Sequence, residues 1–185
     1  KAENTLSIHA YDGAQNQDGY GEIIRKRSQD TEVVLVKTEK ELADTCTLIF
    51  CAVPGSASTQ AARNIMEHLN SNHIYVDLTT SKPNVKLENE RLINRNGARY
   101  VDGAIVSPVP TLKHKVTIFA CGSGAEAFNT IMKPFGMNIR IVAGATGQAS
   151  LLKMLRSSFT KGLEALLLET MIAARKLNAE DIIID

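Results

Sequence analysis

Seven short apolar runs, each closing on a polar or turn-forming residue, punctuate this chain, and segments with helical spacing separate several of them. The runs are LSIHAYD, EVVLV, TLIFCAV, HIYVDLTT, ARYVDGAIV, KVTIFAC and NIRIVA. Their length and their content of Val, Ile and aromatic residues mark them as strands. Residues 19–28, 56–69, 83–94 and 124–133 interleave charged and apolar residues in a helical rhythm. This alternation predicts β-α-β units in an α/β, doubly wound, mostly parallel sheet. A last helix is predicted from near Gly147 to about Leu177, roughly 45 Å long at ~1.5 Å per residue. It is too long for a crossover helix and predicts a bridge from an α/β domain (1–146) into a helical domain that begins within 147–185.

Composition removes several classes of partner. The 185 residues carry a net charge of +1 with no basic stripe, which argues against nucleic acid. No apolar run approaches the ~18 residues needed to span a membrane, and no signal peptide is apparent. Cys46, Cys51 and Cys121 lie in or beside apolar runs without paired ligand spacing. They predict reduced core residues, no metal site and a cytoplasmic protein.

In a doubly wound sheet, ligands bind beyond the carboxyl ends of the strands. LSIHAYD closes on Asp12, an acid suited to the two ribose hydroxyls of NAD and repulsive to the 2′-phosphate of NADP; before Gly13 it is equally a turn aspartate. TLIFCAV ends at Val53 and passes into Pro54-Gly55-Ser56, an apolar exit that a flat cofactor can approach or a simple strand-to-helix turn. HIYVDLTT closes on Thr79 and Thr80, whose hydroxyls are placed to face a ribose or merely to end a strand. ARYVDGAIV closes on Ser107-Pro108-Val109-Pro110, where two prolines remove two backbone donors from a loop at the ligand-binding edge.

The last helix carries Leu151, Leu152, Leu155, Phe159, Leu163 and Leu166 at the spacing of one buried face. Lys153, Ser157, Thr160 and Glu164 fall opposite, and periodicity alone makes them a solvated stripe. A Gly-rich turn of the form G-x-G-x-x-G is missing, and Gly144 and Gly147 follow too late a strand to replace it. A first strand with that turn is therefore expected upstream of Lys1. Without it, LSIHAYD and EVVLV are expected not to join the remaining sheet.

Four blocks in order give the chain a specific likeness. VDLTTSKP (76–83), ARYVDGAIVSP (98–108), KVTIFACGSGAEAF (115–128) and GQASLLK (147–153) resemble blocks of the β-hydroxyacid dehydrogenase superfamily, which includes 6-phosphogluconate dehydrogenase. The resemblance implies a Rossmann-type domain, an NAD-dependent oxidoreductase acting on a small hydroxy acid or its keto form, and a homodimer formed through the helical domain. It makes Lys153 the general acid/base and Ser107 the substrate anchor, with Asp12, Val53, Pro54, Thr79 and Thr80 along the cofactor groove. The sequence also departs from the family. Ser157 stands where many members have asparagine and joins the implied catalytic residues as a reduced substitute, still able to donate a hydrogen bond but with less reach. Arg156 and Thr160 replace the histidine and glutamate of phosphogluconate-type members, and Pro108 and Val109 replace glycines. Rival readings are a non-catalytic dinucleotide-binding scaffold and imine reduction, although imine-reducing relatives generally lack the lysine.

Overall fold

The computed structural model describes residues 6–184, so the outermost residues of both expected domains lie outside the described residues. All seven apolar runs contain strands: β1 (His9–Ala10), β2 (Val34–Leu35), β3 (Leu48–Cys51), β4 (Ile74–Asp77), β5 (Arg99–Ile105), β6 (Thr117–Cys121) and β7 (Asn138–Ile141). Eight α-helices join or follow them: α1 (Tyr20–Asp30), α2 (Glu39–Thr45), α3 (Ser58–Met66), α4 (Pro83–Ile93), α5 (Val109–Leu112), α6 (Ala125–Met132), α7 (Gln148–Lys176) and α8 (Glu180–Ile184).

β3, β4, β5, β6 and β7 form one sheet in that order, while β1 and β2 form a separate parallel pair. Among the described residues the two sets share no ladder, as expected for LSIHAYD and EVVLV. β3, β4 and β5 run parallel, joined by α3 and α4, but β5 meets β6 antiparallel before β6 and β7 resume parallel pairing. The uniform β-α-β rhythm therefore breaks at one connection. The reason lies in the SPVPTL segment, where Pro110 falls in the first turn of the four-residue α5. That position suits proline, but α5 is too short for the dozen or more residues of a parallel crossover.

The central strands are buried on both faces, so each face must carry its own core. Ile74 and Val76 of β4 pack with Val101, Ile118 and Phe128 on the α6 side. The alternate positions Tyr75 and Tyr100 pack with Ile65, Met66 and Ile93 toward α3 and α4. Asp77 and Asp102 continue this second face, because β4 and β5 pair Tyr75 with Tyr100, Val76 with Val101 and Asp77 with Asp102. Two carboxylates thus end up side by side at the strand ends.

One expectation fails on α7. The apolar stripe is the outward face: Leu155 is 59% exposed and Phe159 70%, while Ala149 and Ser150 are buried against the sheet. Lys153, Ser157 and Thr160 are partly covered. Periodicity identifies a stripe that profits from burial, but the first turn of α7 is docked by its small and polar residues, and the apolar stripe has no cover among the described residues.

Candidate functional site

A cleft of about 300 Å³ opens where the first turns of α7 cross the ends of the central strands. Thr79, Thr80 and Ser81 line it from the segment after β4; Ser150, Lys153, Met154, Ser157, Ser158 and Lys161 line it from α7. At its centre Lys153 Nζ donates to Thr80 Oγ1 at 3.0 Å. Burial pushes the Lys153 ammonium below its ordinary value, the charge of Lys86 pushes the same way, and Asp102 opposes them. A lysine with a lowered pKa has a larger neutral fraction near neutral pH, which a proton acceptor requires.

Beneath the cleft lies a buried polar cluster that motif reading missed. Asp77, Lys86 and Asp102 are each 0% exposed. Lys86 Nζ, from α4, lies 2.8 Å from Asp77 Oδ1 and 3.6 Å from Asp102 Oδ1, and also donates to the Asp77 carbonyl at 2.8 Å. Asp77 further accepts Thr79 N (2.9 Å), Thr79 Oγ1 (2.6 Å), Ser58 Oγ (3.1 Å), Asn89 Nδ2 (3.1 Å) and Tyr100 Oη (2.7 Å). Burial pushes the Asp77 carboxyl up, but Lys86 and the bonds from Thr79 and Tyr100 outweigh it and hold the group below its usual value. Asp102 accepts Gly147 N and Ser150 N at 3.1 Å each and Ser150 Oγ at 2.7 Å. Its carboxylate therefore caps α7, where free amides and the helix dipole favour an anion.

The sequence candidates divide into three groups. Lys153, Thr79, Thr80 and Ser157 come together at the cleft. Thr79 nevertheless turns its hydroxyl inward to Asp77, leaving Thr80 as the hydroxyl in contact with the lysine. Ser107 is not among the lining residues; its Oγ accepts Thr117 N at 3.3 Å, while Arg156 of α7 donates to the neighbouring Val106 carbonyl at 2.9 Å. Asp12, Val53 and Pro54 lie apart from the cleft lining, at or just beyond the ends of β1 and β3. Asp12 is exposed and accepts Ala14 N at 2.8 Å through Oδ1, the bond of a turn aspartate. Val53 is 36% exposed. Gly55, next in the chain after Pro54, packs so closely that a Cβ there would fall 2.3 Å from the Thr80 carbonyl oxygen. The β3 exit and the Lys153 contact are thus mechanically connected.

Among the described residues no group of His, Cys, Asp and Glu is arranged to hold a metal, and no helix is long and apolar enough to cross a membrane.

The sequence model of the NAD-binding domain of 6-phosphogluconate dehydrogenase matches residues 4–144. Over 184 residues the chain is 29% identical to an "uncharacterized 28.5 kDa protein" of Methanothermus fervidus, covering 98% of this chain and 70% of that one. A conserved hypothetical protein of Sinorhizobium meliloti 1021 superposes with a TM-score of 0.83 at 29% identity, over 97% of this chain and 60% of that structure. A conserved protein described as structurally similar to 3-hydroxyacid dehydrogenases gives a TM-score of 0.81 at 29% identity, over 96% and 64%. An imine reductase of Myxococcus stipitatus, solved with NAD+, shares the fold at 19% identity with a TM-score of 0.76, over 94% of this chain and 59% of that structure. The chain therefore spans 59–64% of the length of these solved structures.

Proposed function

Because the chain belongs to the family of the NAD-binding domain of 6-phosphogluconate dehydrogenase, within the β-hydroxyacid dehydrogenase superfamily, we propose that it is part of an NAD-dependent oxidoreductase interconverting a small hydroxy acid and its keto form, with Lys153 as general acid/base. The observation that carries this reading is the Lys153 ammonium itself: half-buried in the cleft, held 3.0 Å from Thr80 Oγ1 and lowered in pKa by burial and by Lys86.

The residues present suit a nicotinamide cofactor. Asp12 offers an exposed carboxylate beyond β1, where a ribose diol is recognised in this kind of sheet. Val53 and Pro54 give an apolar surface beyond β3, and Gly55 keeps the adjoining turn close to Thr80. When bound, such a cofactor supplies the position at which hydride is accepted or given up. The chain's own groups do the rest. Neutral Lys153 takes the proton of the substrate hydroxyl as hydride leaves the same carbon; in reduction the ammonium returns it. Thr80 accepts one N–H of Lys153 and so helps fix the direction in which the amine faces. Ser157, Ser158 and Lys161 add donors to a cleft whose lining contains no acid, a composition suited to the carboxylate of a hydroxy acid. The reading includes a homodimer, for which the outward apolar stripe of α7 offers a surface.

Lys153→Met tests the reading. Methionine keeps the length and helix preference, so nucleotide affinity should hold while turnover across a panel of hydroxy acids falls by about 10² to 10⁴. Tight nucleotide binding by the unaltered protein with no turnover of any panel member would favour a non-catalytic scaffold.

A further inference from the structure

Two chain segments meet at the Thr80 and Lys153 contact, and each is anchored a few residues earlier to one of the buried aspartates. Asp77 holds Thr79 through both its amide and its hydroxyl, and Thr80 follows. Asp102 holds Ser150 through both its amide and its hydroxyl, and Lys153 lies one helical turn on, along the same side. Asp77 and Asp102 are register partners on adjacent parallel strands, where two carboxylates repel. Lys86 Nζ bonds to the first and lies 3.6 Å from the second.

We propose that Lys86 is a positioning residue for Lys153: by bridging Asp77 and Asp102 it fixes the spacing of the two segments they hold, and so fixes Lys153 against Thr80. The role in turnover rests on the acid/base reading of Lys153, but the positioning does not. The arrangement is economical for a buried ion group. Lys86 has three N–H bonds and three acceptor contacts, namely the Asp77 carbonyl, Asp77 Oδ1 and Asp102 Oδ1. Simple stabilisation is an insufficient account of such a group, since buried ion pairs are often matched or exceeded by apolar replacements. Here the bridge spans two strand ends, and each aspartate continues by hydrogen bonds into the wall of the same cleft.

The charged groups bearing on Lys153 are Lys86 from α4 and Asp102 from β5; Lys161 shares the cleft from α7. Lys86→Met removes a charge that disfavours the ammonium and also frees the segments to part. Both effects raise the Lys153 midpoint, and proton uptake by one aspartate offsets only part of the change. Ser150→Ala deletes one bond to Asp102 with every charge kept, and Ser150→Thr restores the hydroxyl.

The experiment is competitive labelling of lysines with an amine-directed reagent across pH, read residue by residue by mass spectrometry, which needs neither cofactor nor turnover. The Lys153 midpoint should rise in Lys86→Met, rise less in Ser150→Ala, and stay at the native value in Ser150→Thr. If Lys86→Met does not fold, the two Ser150 variants decide. A folded Lys86→Met, or failing that a Ser150→Ala, in which Lys153 titrates as in the native protein overturns the proposal. A shifted midpoint with no turnover in any form leaves the positioning standing and removes the dehydrogenase reading.

Discussion

Asp77 and Asp102 face each other across the ends of β4 and β5, both fully buried, with the Lys86 ammonium 2.8 Å from one and 3.6 Å from the other. Neither aspartate is placed to meet substrate directly. Their hydrogen bonds tie α3, α4, β5 and α7 to the strand ends, so the polar cluster beneath the cleft organises its walls.

This cluster has a stability signature. Asp77→Asn removes the charge opposite a buried ammonium, and breaking such a pair costs about 3 kcal/mol or more. The pH dependence follows from the carboxyl being held below its usual value. The stabilisation is full above the unfolded value of about 3.9 and is lost as pH falls through the folded value. Urea unfolding of the native protein should therefore weaken steeply below about pH 4, and Asp77→Asn should be weaker at neutral pH with a shallower acid decline. Equal acid slopes in the two proteins would contradict the assignment.

Lys153 should behave in the opposite sense. Its folded pKa lies below the ordinary lysine value, so between the two values the unfolded state binds more protons. Stability from this group consequently rises with pH across that alkaline window. Lys153→Met should flatten that rise and leave the neutral-pH unfolding midpoint unchanged or slightly higher. A clear loss of stability at pH 7 would make Lys153 a structural residue.

The strands were legible because apolar β-branched runs bounded by turns have few alternatives, and α7 because its spacing persists over 29 residues. The direction of its burial was not legible: a stripe of leucines reports that one face profits from cover, not which element supplies it. The cleft half formed by Thr80, Lys153 and Ser157 followed from motif order. Lys86 could not be found that way, since PNVKLENERLI contains three other charged residues, Glu88, Glu90 and Arg91, at helical spacing. The aspartates carried a usable signal in the repeat of Tyr-Val-Asp at 75–77 and 100–102, which the sheet brings into register residue for residue. Ser107 entered through the resemblance alone; it lies outside the lining of this cleft, before Pro108 at the N-cap of the short α5 that precedes the antiparallel pairing of β6 with β5.

The link between the β3 exit and the lysine can be tested at Gly55. A Cβ there would lie 2.3 Å from the Thr80 carbonyl oxygen, so alanine must displace the backbone that carries the Lys153 partner. Gly55→Ala should cost about 1 to 3 kcal/mol by overpacking and reduce turnover beyond what lost stability explains. Gly13 is the control, because a Cβ at that position meets nothing within 4 Å; Gly13→Ala should remain within about 0.5 kcal/mol of the native protein. Comparable effects at the two glycines would break the proposed connection.

The proposed preference for NAD over NADP rests on Asp12. Its carboxylate is exposed beyond β1 and accepts the Ala14 amide through one oxygen, leaving the other side of the group for a ribose diol. An ionised carboxylate there favours NAD and repels the 2′-phosphate of NADP. Arg25, on α1, donates through Nη1 to the Gln15 carbonyl at 3.0 Å, which orients it toward the turn. Asp12→Asn keeps the size and the turn bond while removing the charge. Calorimetric Kd values at fixed salt should show NAD bound more tightly than NADP by the native protein, and Asp12→Asn should narrow the gap by about tenfold, the equivalent of ~1.4 kcal/mol. Tighter binding of NADP than NAD by the native protein would reverse the assignment and move recognition of the 2′ position to Arg25 or its neighbours Lys26 and Arg27.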